Sequence, residues 1–172
     1  NKYQNFVEDL GLGVHNLNTG ALKIALTNTA PNAATHAVLA DITELGAGNG
    51  YSAGGTDATG VWSESGGTGT LSGTDVVFTA SGGSVGPFRY AVLYNDTPTS
   101  PAGPRIGWYD YGSSITLADT ETLTVDFDAT NGVLTRDWTY EPTLTAANAQ
   151  KAFTLQHGDD IQAYQYAFTM AE

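Results

Sequence analysis

The chain has 172 residues and a formal net charge of −12, from six basic and 18 acidic side chains, and it contains no cysteine. An acidic surface of this kind repels nucleic acid, and the lack of cysteine excludes disulfides, thiolate metal ligands and cysteine nucleophiles. No apolar run approaches the roughly 18 residues that a membrane-spanning helix needs, and residues 1–4 show no secretory signal, so we expect synthesis in the cytoplasm.

Charged residues make up only 14% of the chain, against roughly a quarter in ordinary soluble domains. The surface must therefore be covered largely by uncharged polar side chains and glycine. Such a surface suits contacts that persist, because fewer long charged side chains have to be desolvated and ordered.

The first predicted element is a short helix at roughly residues 2–10. Phe6, Leu10 and Val14 follow one another at intervals of four, which places them on one helical face, with Tyr3 on the same side. This face either contacts a partner or packs on the chain's own sheet.

The pattern then changes from helical to alternating. Leu22, Ile24 and Leu26 point to one side of a predicted strand at 22–27. The polar stretch at 46–60, which holds the lone aromatic Tyr51, is longer than most loops in compact domains. We expect it to contact a partner or to cross between sheets.

From residue 61 onward, short strands and turns alternate. The predicted strands are 61–64, 69–72, 75–80, 88–94, 105–111, 114–117, 121–128, 152–156 and 162–169. Turn residues such as Gly112-Ser113 separate them. The spacing of about ten residues predicts an all-β fold, a β-sandwich or jelly-roll-like, with a short N-terminal α-helix and a C-terminal β arm or hairpin.

Two domains follow from these elements. Residues 1–134 form a β-sandwich domain with the N-terminal helix. Residues 135–172 form a C-terminal extension of extra strands, or an arm that packs on the domain or on a neighbour, joined through a polar stretch at 139–150.

A possible nucleophile elbow, GGSVG at 82–86, has the G-x-S-x-G pattern around Ser84. The elbow needs a helix directly after the serine, and an acid and a histidine downstream. Here Pro87 and a strongly β-forming run follow, so we interpret the segment as a glycine-rich turn.

Metal sites are not predicted either. His15, His36 and His157 are scattered, with no pair at helical spacing, and each is interpreted as a surface or packing histidine. The segment DFDATNG at 126–132 has partial calcium-loop spacing, but a strand end and an Asn-Gly turn explain it. We therefore predict no catalytic residue, no cofactor and no metal, and a chain that is not an enzyme.

The aromatic residues near position 110 carry more information. Alternation along the strand sends Trp108 and Asp110 to one face, and Tyr109 and Tyr111 to the other. This arrangement favours a core layer plus an interface layer, and a carbohydrate-binding strip is the alternative.

Several stretches together resemble a family of small structural proteins of tailed bacteriophages. The resemblance covers residues 2–134 and rests on these stretches: FVEDL at 6–10, GVHN at 13–16, LKIALTNTAP at 22–31, GNGY at 48–51, GG at 54–55, ASGGSVGPFRYAVLYND at 80–96, IGWYDYG at 106–112 and TLTVDF at 122–127.

The resemblance implies a virion component without catalytic activity, and within that class we favour a head decoration (auxiliary capsid) protein. Its expected partners are the major capsid protein, whose lattice it would bind on the outer surface of the virion, and further copies of itself, with a trimer favoured. No nucleic acid or membrane partner is expected. The residues predicted at interfaces are Phe6, Leu10, Val14, Tyr51, Trp108, Tyr109 and Tyr111.

Three alternatives stay open. The first is a phage tail component, such as a tail-tube, collar or fibre-associated subunit. The second is a carbohydrate-binding module built on Trp108, Tyr109 and Tyr111. The third, a hydrolase using Ser84 or His157, is the weakest.

Overall fold

The fold is built on antiparallel β-strands, and the computed structural model describes residues 1–128 and 132–137. These residues belong to the first of two units into which the chain divides, Asn1–Trp138 and Thr139–Glu172. The predicted strands at 152–156 and 162–169, the linker at 139–150, the C-terminal arm and His157 lie outside the described residues.

One helix and nine strands succeed one another along the described chain. They are α1 (Asn5–Gly11), β1 (Leu22–Thr27), β2 (Thr56–Asp57), β3 (Gly60–Ser65), β4 (Thr68–Gly73), β5 (Val76–Thr79), β6 (Val85–Asn95), β7 (Arg105–Leu117), β8 (Thr122–Val125) and β9 (Leu134–Asp137). A 3₁₀ turn at Leu39–Asp41 lies between β1 and β2.

The strands form three antiparallel sheets. A four-stranded sheet has the order β2-β1-β6-β7, a three-stranded sheet has the order β3-β4-β9, and β5 pairs with β8. The predicted all-β, sandwich-like fold with a short N-terminal helix is confirmed.

The main hydrophobic core covers one face of the four-stranded sheet. Leu22, Ile24 and Leu26 of β1 lie in it, as the alternation of that strand predicted, together with Phe6 from α1. Strands β4, β5 and β8 contribute further buried residues, among them Leu71, Val76, Phe78 and Val125.

A second, smaller cluster contains Tyr3, Ile42 and Val92, with Trp108 packed against it. Val92 and Leu93 are neighbours on β6 but belong to different clusters, so the central sheet is buried on both faces. A sheet covered on both sides needs apolar side chains at successive positions, and residues 91–94 are buried without interruption.

The N-terminal prediction needs a correction. The helix begins at Asn5, not near residue 2, because the chain before it is extended along β7. The Tyr3 amide donates to the Ile106 carbonyl at 3.2 Å, and Lys2 forms a bridge with Gly107. Tyr3 therefore lies in the second cluster and not on the helical face of Phe6.

A second correction concerns β7, which was predicted as two strands separated at Gly112-Ser113. It is one strand of 13 residues with an irregularity. Tyr90 pairs with Asp110, whereas Phe88 pairs with Ile115, so β7 has extra residues between these pairs. Gly112, at φ +94°, supplies the backbone conformation that this bulge requires.

The stretch at 46–60 is also not entirely a loop, because it contains β2, which pairs with β1. Gly55 has a φ of +75°, and a Cβ atom there would lie 1.8 Å from the Ile24 carbonyl oxygen. Only glycine lets the loop approach β1 this closely.

Candidate functional site

Three adjoining grooves form the candidate site, which we call the grooved face. The helix groove, about 630 Å³, is lined by Val7, Leu10 and Trp62 among others. The strand groove, about 140 Å³, lies between α1, β7 and β9 and shares Val7 with it. The tyrosine groove, about 210 Å³, shares Tyr109 with the strand groove.

Several apolar side chains on this face are exposed to solvent. Val7 is 42% exposed, Tyr109 36% and Tyr111 60%. Adjoining apolar side chains in grooves are typical of a surface that contacts another molecule.

His15 lines the helix groove and is only 5% exposed. Neither ring nitrogen has a hydrogen-bond partner in the described part of the chain. The ring packs at 5.2 Å from the ring of Phe6. Burial lowers the pKa of His15 to about 4, so the ring is neutral near pH 7 and presents one donor and one acceptor.

The strand groove is shaped by the N-terminal residues. The main-chain nitrogen of Asn1 donates to the Trp108 carbonyl at 3.2 Å, and the Trp108 amide donates to the Asn1 carbonyl at 3.0 Å. The Trp108 ring packs against Tyr3, with centroids 4.7 Å apart. Leu134 of β9 also lines this groove.

The tyrosine groove combines aromatic rings with an ion pair. Arg89 binds Asp110 through two hydrogen bonds, of 2.7 and 2.9 Å. Asp110 also accepts from the Gly112 amide at 2.8 Å, so the ion pair holds the bulge in β7. The hydrogen bond from Arg89 lowers the pKa of Asp110, with the Gly112 amide acting in the same direction. Tyr109 packs on Phe127 of the main core, on the opposite side of β7 from Trp108.

Five of the seven residues predicted at interfaces line the grooved face. They are Phe6, Leu10, Trp108, Tyr109 and Tyr111. Phe6 is 4% exposed and belongs to the core, so the helical face packs mainly on the chain's own sheet.

Val14 and Tyr51 lie elsewhere. Val14 is half-buried, and Tyr51 is buried in the main core. The Tyr51 hydroxyl accepts from the Leu26 amide at 3.0 Å and donates to Glu44 at 2.7 Å. Burial and this carboxylate raise the pKa of Tyr51, which serves as an anchor of the loop at 46–60.

Trp62 lines the helix groove but was not among the residues predicted at interfaces. The sequence predicted it only as part of the strand at 61–64. Its place beside the segment after α1 depends on tertiary packing, which the spacing of residues along the chain does not contain.

The other motifs occupy ordinary structural positions. Ser84 precedes β6, so the nucleophile-elbow pattern leads into a strand and not a helix. His36 accepts from the Asn32 amide at 3.2 Å, and Asp128 accepts from the Gly132 amide through its main-chain carbonyl at 2.7 Å. Within 1–128 and 132–137, no three His, Asp or Glu side chains cluster as metal ligands would.

Comparison with family models, with curated proteins and with solved structures gave no match. Among the residues that the structure describes, no helix is both long and apolar enough to span a membrane.

Proposed function

We propose that this chain is a virion structural protein of a tailed bacteriophage, a head decoration protein that binds the outer surface of the major capsid lattice. The grooved face carries the proposal. It places Val7, Tyr109 and Tyr111 in adjoining grooves where a partner can cover them. The resemblance to phage structural proteins is the second support.

Tyrosine suits such a contact physically. A tyrosine ring offers a large apolar area with few rotatable bonds and keeps a polar hydroxyl for hydrogen bonding, which is why tyrosine is common at protein interfaces. Tyr111 is 60% exposed and lines the same groove as Arg89 and Asp110. A partner that covers the ring thus meets both apolar and charged surface.

Individually modest contacts are sufficient for this function. A protein that binds the assembled lattice but not free capsid subunits stabilises the assembled state by mass action. A homo-oligomer, with a trimer favoured, engages several capsid subunits together and gains avidity. The net charge of −12 suits a location on the outer surface, away from packaged DNA.

The test uses particles of the phage that encodes the chain, prepared without it. Purified full-length chain is added back, bound chain is collected by sedimentation, and its copy number is measured against the major capsid protein. We expect hundreds of copies per particle, and at least about tenfold weaker binding for Tyr111→Ser, as for an interface hot spot.

Val61→Ser is the matched control. Val61 is 55% exposed, like Tyr111, but it alternates with Trp62 on β3 and so points away from the helix groove. This variant should bind like the unmodified chain. A few tens of copies restricted to tails would favour the tail component, and no binding to any particle would contradict the proposal.

Carbohydrate binding is a second candidate, supported by the tyrosine groove with its exposed ring and its ion pair. Trp108 packs on Tyr3 on the opposite side of β7, so the groove would use Tyr109 and Tyr111. Glycan-array binding that Tyr111→Ala abolishes would support this candidate, and an array without signal would contradict it.

A further inference from the structure

We propose that residues 15–20, which we call the strap, open as a unit in acid while the sheets stay folded, and that His15 is the side chain that responds to the proton. Opening separates His15 from Phe6 and exposes Leu17 of the main core. This inference does not depend on a virion role, because it rests on how the strap is held within one subunit.

The first observation is that the strap forms its hydrogen bonds with itself. The side chain of Asn16 accepts from the amides of Asn18 and Thr19 at 3.1 and 3.2 Å, and the Asn16 carbonyl accepts from the Gly20 amide at 2.7 Å. In the part of the chain that the structure describes, no hydrogen bond and no ion pair joins the strap to other residues. The strap can therefore move away without breaking any strand pairing.

Hydrogen bonds to the rest of the fold lie directly before and after the strap. The Val14 amide donates to the Asp9 carbonyl of α1 at 2.8 Å. The Ala21 amide, next to β1, donates to the Thr97 hydroxyl at 2.7 Å. These two bonds fix both ends, so the opening is confined to the strap and does not require α1 or β1 to unfold.

Two buried side chains decide whether the strap is closed. Leu17 is 5% exposed and belongs to the main core, so its burial favours the closed state. His15 is also 5% exposed, and among the described residues its ring nitrogens have neither a hydrogen-bond partner nor access to solvent. This burial opposes closure, because the imidazole loses its hydrogen bonds to water and gains none in return. The closed state thus rests on apolar contacts.

Acid shifts this balance toward the open strap. Burial lowers the pKa of His15 to about 4, against 6.5 for an exposed ring. Between these values the ring takes up a proton only after the strap opens, so a lower pH favours the open state. Above pH 6.5 the ring is neutral in both states, and the effect vanishes.

The charged groups nearest to the strap do not produce this response. His15 is the only titratable side chain among the described residues that line the helix groove. On α1, Glu8 is exposed, and burial raises the pKa of Asp9, so protonation of Asp9 in acid favours its buried state and has the opposite sign. On β3, the carboxylate of Glu64 accepts from the Gly67 amide at 2.7 Å. The response to acid is therefore assigned to the histidine.

Cysteine labelling of the full chain tests the strap, because the natural chain has no cysteine. Leu17→Cys and Leu26→Cys each place one thiol at a buried leucine, 5% and 0% exposed, so the two sites are matched. A disulfide reagent labels each thiol only when its surroundings open. Dividing by the rate for an unfolded peptide with one cysteine removes the effect of pH on the thiol itself. At about pH 7.5 we expect the strap thiol to be labelled at least about a hundredfold faster than the β1 thiol.

Urea and pH separate local opening from global unfolding. About 1 M urea should speed the labelling of Leu26→Cys and leave Leu17→Cys nearly unchanged, since local opening exposes little surface. Lowering the pH from about 7.5 to about 5 should speed the labelling of Leu17→Cys about tenfold. Adding His15→Phe to this chain should remove the rise, whereas adding His36→Gln, at a histidine outside the strap, should keep it.

Each part of the proposal has an outcome that overturns it. Equal labelling rates and equal urea dependence at positions 17 and 26 would show that the strap opens only when the whole domain unfolds. A labelling rate of Leu17→Cys that does not change with pH would contradict the response to acid. His15→Leu is the second replacement if circular dichroism shows that His15→Phe does not fold, and a rise in acid that survives the replacement would exclude His15 as its source.

Discussion

Arg105 and His15 are both buried polar side chains that carry nitrogen, and they differ in what surrounds them. Arg105 is completely buried, donates to the Val38 carbonyl at 2.6 Å and to the Tyr3 hydroxyl at 3.1 Å, and lies 3.4 Å from Asp41. The contact with Asp41 is an ion pair without hydrogen-bond alignment. His15 is almost as buried, yet its two nitrogens have no partner in the described residues.

The comparison shows that burial stabilises a polar side chain only where groups of the same chain satisfy its hydrogen bonds. Arg105 holds residues 1–3, the 3₁₀ turn and β7 together through groups of the same chain. Its polar atoms are mostly satisfied within the subunit, so it belongs to the fold. The His15 nitrogens have no partner among the described residues and no access to solvent, so this ring is held by packing on Phe6, and its unused hydrogen-bonding capacity costs stability.

The largest loss of stability is expected for Arg105→Met, which tests the structural role of this side chain. The substitution removes a buried guanidinium and its hydrogen bonds to the Val38 carbonyl and to the buried Tyr3 hydroxyl. We expect a loss of about 3 kcal/mol in the free energy of unfolding, measured by urea denaturation, because two hydrogen bonds from a charged group are lost. Arg89→Met, which removes the exposed ion pair with Asp110, is the control and should cost much less. Equal losses would show that Arg105 has no special structural role.

The second largest effect is a dependence of stability on pH, which arises because burial lowers the pKa of His15. The pKa of this ring is about 4 in the folded chain and 6.5 when exposed. Between these values the unfolded chain binds more protons, so acid favours unfolding. Above pH 6.5 His15 is neutral in both states and does not weaken the fold. As the pH falls toward 4, its protonation in the unfolded chain lowers the free energy of unfolding by about 2 kcal/mol, after solvent screening is allowed for.

Urea titrations of the unmodified chain and of His15→Phe, at a series of pH values from 7.5 to about 4, would measure this contribution. The difference in the free energy of unfolding between the two chains should become smaller as the pH rises from 4 to 6.5. Carboxylates whose pKa is lowered, such as Asp41 and Asp110, contribute equally to both chains and cancel. A difference that does not change with pH would mean that the histidine is not buried as described.

The smallest effect is expected for Tyr3→Phe. The Tyr3 ring still packs on Trp108 and beneath Arg105, whose Cζ atom lies 4.9 Å from the ring centroid. Only the hydroxyl that accepts from Arg105 is lost. We therefore expect the free energy of unfolding to fall by about 1 kcal/mol, measured by thermal unfolding. Tyr111→Phe, at a hydroxyl on an exposed ring, should change nothing measurable, and a similar loss in both would contradict the role assigned to Tyr3.

Local patterns predicted most of the strands. The alternation in β1 and β8 and the uninterrupted apolar run in β6 depend on neighbours in sequence, so these strands could be recognised. The helix was placed too early, because residues 2 and 3 pair with β7 over a hundred residues away, and no local pattern contains that partner.

The remaining errors have the same origin. Gly112-Ser113 was interpreted as a turn because glycine and serine favour turns, but the same residues also permit a bulge within a strand. Only the pairing of β7 with β6 decides between the two. Likewise, Tyr109 and Tyr111 could be selected from sequence, whereas Trp62 and His15 reach the grooved face through tertiary packing of β3 and the segment after α1.

The irregular outer strand β7 has a consequence for solubility. An open, flat sheet edge is a template on which other chains can add and grow into aggregates. Residues 1–3 cover one part of this edge by pairing with residues 106–108, and the kink at Gly112 bends the next part out of line. Within the described chain, β7 can thus lie at the edge of its sheet with little risk that two sheets join edge to edge.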